Sequence, residues 1–108
     1  MGVKEYLKKT FKLKYGIMPA VRPHAVCADG FTLSIQASEF HYCFPRETLE
    51  DCDYNAVEVM LFGTIDSFTY NRFLKHSCGK EDGNLFSFVD IHFLELFVKE
   101  HGGIVNIN

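Results

Sequence analysis

The sequence predicts a small α+β domain, in which a small antiparallel sheet is packed by a C-terminal helix and preceded by an amphipathic N-terminal helix. Three observations predict this fold class. The chain has 108 residues, 47% of them hydrophobic and 15% aromatic, which suits one close-packed core over residues 1–108. Apolar side chains recur at helical spacing near both ends of the chain. Between these segments, short apolar runs are separated by glycine-containing turns, as is typical of strands.

The first element is an amphipathic helix. Apolar residues recur at helical spacing over residues 3–11, and lysines occupy the opposite side. Gly16 is expected to end this helix, and two prolines keep residues 16–23 extended as a connector. The chain is therefore expected to be a single domain, with residues 1–16 as a helical preface to an α+β body of residues 17–108.

A β-hairpin follows the connector. Residues 24–28 form its first strand. Asp29-Gly30 supplies the turn, because glycine tolerates the positive φ that tight hairpin turns need. Apolar and polar residues then alternate over residues 31–36, which predicts the second strand.

The middle of the chain is less regular. Residues 37–54 mix aromatic, proline and acidic residues without a period, so we expect an irregular connection that includes a short strand near residues 41–44. Residues 56–62 are apolar and β-branched, which predicts a buried strand that Gly63 ends. A short helix over residues 66–75 is predicted from the Asp-Ser pair that can cap its start.

The last part of the chain predicts a loop over residues 77–84 and a strand over residues 85–89. Asp90 stands at the N-cap position of a helix over residues 91–101, and a glycine follows this helix. Apolar side chains surround most of the helix, so we expect it to be largely buried. Residues 104–107 then return as an edge strand.

Charge is distributed unevenly. The net charge is −3, yet residues 1–16 hold five lysines against one glutamate, so the rest of the chain is acidic. The densest acidic stretch contains Glu47, Glu50, Asp51, Asp53 and Glu58. This stretch fits either a surface that attracts cationic proteins or a solvated loop. The lysines fit contacts with nucleic-acid phosphates, contacts with an anionic membrane, or a solvated helix face.

Histidine and cysteine occur as close neighbours in three places, of which two have the spacing His-x-Cys. Side chains two residues apart on a strand project from one face, so His41, Cys43, His76 and Cys78 are the candidate ligands for a tetrahedral zinc ion. The alternative is that the thiols pack as small apolar groups. We expect no other cofactor.

No catalytic motif is found, and we expect no enzyme activity. The phosphate-binding glycine loops, the nucleophile-elbow serine and the zinc-protease motif are all missing from the sequence. No run of 18 apolar residues or secretory leader is present, so a cytoplasmic location is expected. The four cysteines are then expected to be reduced rather than to form disulfides.

The run from Met18 to Arg46, MPAVRPHAVCADGFTLSIQASEFHYCFPR, resembles a signature of short proteins from phages, prophages and mobile elements of Gram-positive bacteria. The similarity continues through Val57-Glu58-Val59 and returns at residues 99–104. Residues 1–16 and 62–89 depart from the family.

The resemblance implies a protein that works inside a bacterial host and binds a host protein stoichiometrically. Inhibition of a defence nuclease, as anti-CRISPR proteins do, is one implied activity, with a Cas effector nuclease as the partner. The acidic stretch would then engage a basic groove, with Phe44 and Tyr54 as aromatic anchors. The alternative is a small nucleic-acid-binding regulator that uses the lysine-rich N-terminal helix.

Overall fold

The computed structural model describes residues 1–11, 21–80 and 82–107. In these ranges, three helices accompany a five-stranded antiparallel sheet with the strand order β4-β3-β2-β1-β5. The elements are α1 (Val3–Phe11), β1 (Ala25–Cys27), β2 (Thr32–Gln36), β3 (Ala56–Leu61), α2 (Ser67–Lys75), β4 (Leu85–Asp90), α3 (Ile91–Glu100) and β5 (Ile104–Ile107). The predicted α+β fold class is confirmed. The predicted end of α1 at Gly16 lies outside the described residues.

One face of the sheet forms the core. Leu33 and Ile35 of β2 are fully buried, and they pair with Leu61 and Val59 of β3. Because alternate residues of a strand project from one face, these pairs present a continuous apolar surface. Phe97 of α3 is buried in the same cluster. No helix of the described ranges is long and apolar enough to cross a membrane.

A β-bulge interrupts the pairing of β3 with β4. Val57 pairs with Val89 and Val59 pairs with Phe86, so β4 holds one residue more than β3 between the two pairs. Phe88 lies in this bulge with φ of 51°, in the left-handed region that residues with side chains rarely adopt. The bulge therefore changes the direction in which the Phe88 side chain projects.

Two charged side chains from distant parts of the sequence bind the backbone of α1. At the N-terminal end, the Glu95 carboxylate accepts hydrogen bonds from the backbone N–H groups of Val3 (2.8 Å) and Lys4 (3.1 Å). In the middle of the helix, the buried guanidinium group of Arg22 donates to the carbonyl of Leu7 (3.4 Å). The Glu95 carboxylate complements the positive end of the helix dipole. α1 is therefore fixed in the core by interactions from distant parts of the sequence.

The β1–β2 hairpin is joined to the end of α3. Nδ1 of His101 lies 2.6 Å from Oδ2 of Asp29, whose other oxygen accepts a hydrogen bond from the Phe31 N–H. Gly102 has φ of 90°, and a Cβ atom there would lie 2.6 Å from Cβ of Ala28. Glycine is therefore required at this position for its conformation and for the close approach of the hairpin.

The predicted burial of α3 is wrong in part. Its side chains Phe93, Leu94, Phe97 and Val98 are buried. Leu96 is 54% exposed, however, because it projects away from the sheet. The N-cap at Asp90 is confirmed, since its side chain accepts a hydrogen bond from the Phe93 N–H.

The short strand predicted near residues 41–44 is reduced to a single β-bridge between Phe44 and Ala56. The N–H groups of His41 and Cys43 instead donate to the nearby carbonyls of Ser38 and His41. These local hydrogen bonds use N–H groups that a regular strand would offer to a neighbouring strand, so pairing is limited to the bridge between Phe44 and Ala56.

We predict that Glu95→Ala destabilises the protein by about 1 kcal/mol, because it removes both acceptors at the N-terminus of α1. Urea denaturation followed by circular dichroism measures the change. Lys99→Ala, an exposed change on the same helix, is the matched control and should have a smaller effect. Equal stability of the Glu95 variant and the wild type would contradict a capping role.

We predict that part of the stability depends on the ionisation of Asp29. The hydrogen bond from the Phe31 N–H, and then His101, hold the pKa of this carboxyl below its usual value of 3.8. Because the folded pKa is the lower one, ionised Asp29 stabilises the fold above about pH 4, and the effect is lost as the pH falls through the folded pKa.

Asp29→Asn should therefore lower the free energy of unfolding by less than about 1 kcal/mol at pH 6, because the pair of Asp29 with His101 is exposed. The decrease should be smaller still at pH 3. Urea denaturation at the two pH values tests this, with the exposed change Glu47→Gln as the control. A larger loss of unfolding free energy at pH 3 than at pH 6 would contradict the predicted pH dependence.

Candidate functional site

Three aromatic side chains project into solvent from alternate positions of the irregular segment after β2. Phe40 is 51% exposed, Tyr42 39% and Phe44 58%, whereas Cys43 between them is fully buried. We call Phe40, Tyr42 and Phe44 the aromatic strip. Single exposed apolar residues are common on protein surfaces, whereas contiguous exposed apolar patches mark interaction sites. Three exposed aromatic residues within five positions therefore make this segment a candidate.

A local hydrogen-bond network shapes the start of the aromatic strip. Oγ of Ser38 accepts a hydrogen bond from the Phe40 N–H (3.0 Å) and lies 2.7 Å from Nδ1 of His41. The thiol of Cys43 donates to the Ser38 carbonyl (3.2 Å). Because Ser38 and Cys43 are both buried, they anchor the segment from beneath.

The aromatic strip is also fixed to the sheet. The Tyr42 N–H donates to Oε2 of Glu58 on β3 (3.2 Å), and the Tyr42 carbonyl accepts from the Phe88 N–H on β4 (3.0 Å). The Phe44 N–H donates to the carbonyl of Ala56 (3.0 Å). These contacts to two strands give the strip a defined position.

An aromatic and a cationic side chain extend the strip. The ring of Phe88, in the β-bulge, lies 6.0 Å from the Tyr42 ring at an interplanar angle of 43°. The guanidinium carbon of Arg46 lies 5.0 Å from the centre of the Tyr42 ring, a cation–π contact. Tyrosine and arginine are among the residue types that are enriched at interface hot spots.

Most of the predicted acidic contact residues are accessible. Glu47, Glu50, Asp51 and Asp53 are exposed, and Glu58 is half-buried beneath Tyr42. Tyr54, the other predicted aromatic anchor, does not present its ring to solvent in this structure. Its ring is buried, and its hydroxyl donates to the Glu47 carbonyl (2.7 Å) and accepts from the Leu49 N–H (2.9 Å). Tyr54 thus supports from within the segment of residues 47–53, which we call the acidic loop.

The acidic loop and the lysine face of α1 are neighbours. Nζ of Lys4 lies 3.4 Å from Oδ1 of Asp53, and Glu50 lines a shallow depression with Lys8 and Lys9. Opposite charges therefore offset each other where the two candidate surfaces meet. Of the predicted lysines, two lie outside the described residues: Lys12 and Lys14.

The structure does not assemble the predicted zinc ligands. His41 is bonded to Ser38 and Cys43 is buried beneath the aromatic strip, whereas the ring of His76 stacks on Phe93 at 4.4 Å and Cys78 is exposed. Within residues 1–11, 21–80 and 82–107, no group of three or more His, Cys, Asp or Glu side chains is placed to hold a metal ion. The two His-x-Cys pairs thus belong to separate local packing arrangements.

The buried thiols are poorly suited to nucleophilic chemistry. Burial raises the pKa of Cys43, and it raises the pKa of Cys27 to about 11, with a further contribution from Asp29. Burial also raises the pKa of Cys52, although the nearby Arg22 partly opposes this shift. A neutral thiol is a weak nucleophile, so these three positions favour packing over catalysis.

Sequence reasoning identified Phe44 but missed Phe40, Tyr42, Arg46 and Phe88. The available signal was the alternation of aromatic residues from position 40 to position 44, with a cysteine between the last two. Nothing in the sequence indicated Phe88, because a bulge on a different strand brings it to the strip.

We predict that one of the four cysteines reacts rapidly with a thiol reagent such as dithionitrobenzoate in the native protein. Cys78 is exposed, whereas Cys27, Cys43 and Cys52 are buried. Cys78→Ser should remove the fast phase and Cys43→Ser should leave it, as followed by absorbance at neutral pH. Two or more fast thiols in the native state would contradict the described burial.

The described surface thus combines three exposed aromatic rings, a cation over one of them and several exposed carboxylates. These groups lie on the irregular segment of residues 38–53, which hydrogen bonds anchor to β3 and β4. No protein-family model, curated protein or solved structure matches this chain.

Proposed function

We propose that this chain is a non-enzymatic protein of a phage or mobile element that binds and inhibits a host protein, with the aromatic strip as its central contact. The exposure of three aromatic rings within five residues carries the proposal. A few buried aromatic side chains supply most of the binding energy in many interfaces. A strip that is already fixed to two strands loses little conformational entropy on binding.

Acidic side chains around the strip favour a cationic partner. Glu47 follows Arg46 directly and is exposed, and Glu58 lies beneath Tyr42. Glu50 and Asp51 add exposed carboxylates farther along the same loop. Such a surface accelerates the encounter with a basic groove, so we retain a nucleic-acid-binding host protein, and a Cas effector nuclease in particular, as the proposed target.

The proposal of a non-enzymatic role is supported by the surroundings of the nucleophilic groups. The Ser38–His41 pair resembles a nucleophile with its base, yet Ser38 is buried and its Oγ already accepts the Phe40 N–H. Catalysis by such a pair needs a hydroxyl that a substrate can reach.

The alternative, a nucleic-acid-binding regulator, is supported by the exposure of the α1 lysines Lys4, Lys8 and Lys9. The nearby carboxylates of Asp53 and Glu50 weaken it, because they repel phosphate groups. This role predicts a salt-sensitive mobility shift of a DNA or RNA fragment, which the proposed protein-binding role does not require.

We predict that the double variant Phe40→Ala/Phe44→Ala folds as the wild type does but loses the host partner. Both side chains are more than half exposed, so their removal leaves the core intact, whereas loss of two anchors should weaken binding at least 100-fold, or about 3 kcal/mol. The measurement is affinity capture from the lysate of a Gram-positive host, followed by titration of the captured protein.

Phe68→Ala is the matched control, because this aromatic residue is 70% exposed on α2, away from the strip. It should bind the partner as tightly as the wild type. The captured protein should also lose its own activity when the wild type is added in equal amount. Equal capture by the double variant and the control would rule out the aromatic strip, and unchanged partner activity would rule out inhibition.

A further inference from the structure

We infer that the aromatic strip binds an arginine side chain of the partner, which takes the place that Arg46 of this chain holds over the Tyr42 ring. This inference rests on the proposed function and adds the chemistry of the central contact. The observation behind it is that a guanidinium group already occupies the ring face.

The contact of Arg46 is weak enough to be exchanged. Its guanidinium carbon lies 5.0 Å from the centre of the Tyr42 ring, and the side chain is exposed. Within the described part of the chain, Arg46 forms no ion pair with a carboxylate. A solvent-exposed cation–π contact without a counter-ion is at the weak end of its range.

The surroundings of Tyr42 suit a planar cation. The Phe88 ring supplies a second aromatic surface 6.0 Å away, and Glu58 supplies a carboxylate that is fixed to the Tyr42 N–H. Phe88 has a φ of 51° at this position, a conformation that persists only where the surrounding structure holds it. A guanidinium group can stack on a ring and bond to a carboxylate at the same time, which an ammonium group does less well.

The same molecule holds a complete version of this arrangement. The guanidinium group of Arg72 lies over the rings of Phe93 and Phe97 at 5.3 and 5.6 Å. It also binds both carboxylate oxygens of Glu100, at 2.8 and 3.2 Å. Arg72 is thus held by rings and by a carboxylate, whereas Arg46 is held by a ring alone.

The negative charge around the aromatic strip indicates which kind of partner supplies the arginine. Glu39 and Glu47 are exposed on the two sides of the strip in sequence, and Glu58 lies beneath it. A partner that displays arginine toward nucleic-acid phosphates presents the complementary group. We therefore assign the contact to an arginine of the host protein.

The test is an NMR titration of the full-length, isotope-labelled chain with N-acetyl-arginine amide. The neutral isostere N-acetyl-citrulline amide is the matched probe. We expect saturable shifts of the Tyr42, Glu58 and Phe88 amides with the arginine probe alone. Arg46→Ala should tighten its binding about two- to five-fold, because the competing internal cation is gone.

Two further variants test whether binding of the arginine probe needs the aromatic face of Tyr42 or only its apolar volume. Tyr42→Phe keeps an aromatic face and should retain the shifts, whereas Tyr42→Leu keeps apolar volume and should lose them. Equal shifts with the citrulline probe, or no saturable shift in the wild type and in Arg46→Ala, would overturn the assignment to arginine. If the arginine assignment fails in this way, loss of the host partner in Phe40→Ala/Phe44→Ala would still support the proposed function. The failure of the assignment is therefore distinguishable from the failure of the proposed function.

Discussion

The buried guanidinium group of Arg22 joins the segments on which the rest of the structure depends. It donates to the carbonyls of Ala37 (2.7 Å) and Leu7 (3.4 Å), and it lies 3.8 Å from Sγ of Cys52. The side chain of Gln36 in turn pairs with the Arg22 backbone through two hydrogen bonds of 2.8 Å. One side chain thus fixes the middle of α1, the residue that follows β2 and the acidic loop relative to each other.

This arrangement is unusual in its charge balance. Arg22 is almost fully buried, and in the described part of the chain its Nε has no hydrogen-bond partner and no carboxylate lies within ion-pair distance. Carbonyl dipoles therefore compensate a charge that is normally paired. The aromatic strip begins three residues after Ala37, so its position depends on this buried contact.

Charge and aromaticity have separate roles on the surface. The acidic loop and the α1 lysines lie side by side, so their opposite charges partly offset each other, and salt screens the remaining field beyond about 8–10 Å. Long-range attraction alone therefore cannot select a partner. The aromatic strip acts at contact distance. Within residues 1–11, 21–80 and 82–107, the non-glycine residues with positive φ are Phe88, next to the strip, and Cys52, within the acidic loop. Such conformations persist where the surrounding structure requires them.

The sequence by itself determined the fold class, the approximate bounds of most of the described helices and strands, and the cap at Asp90, because these follow from local periodicity and capping chemistry. It did not determine the interior position of Tyr54, the exposure of Leu96 or the separation of the zinc candidates. Only the tertiary structure decided these, because each depends on which distant segment packs against the residue. For the same reason the pairing of Phe88 with Tyr42 and the fixing of α1 by Arg22 and Glu95 were not visible in the sequence.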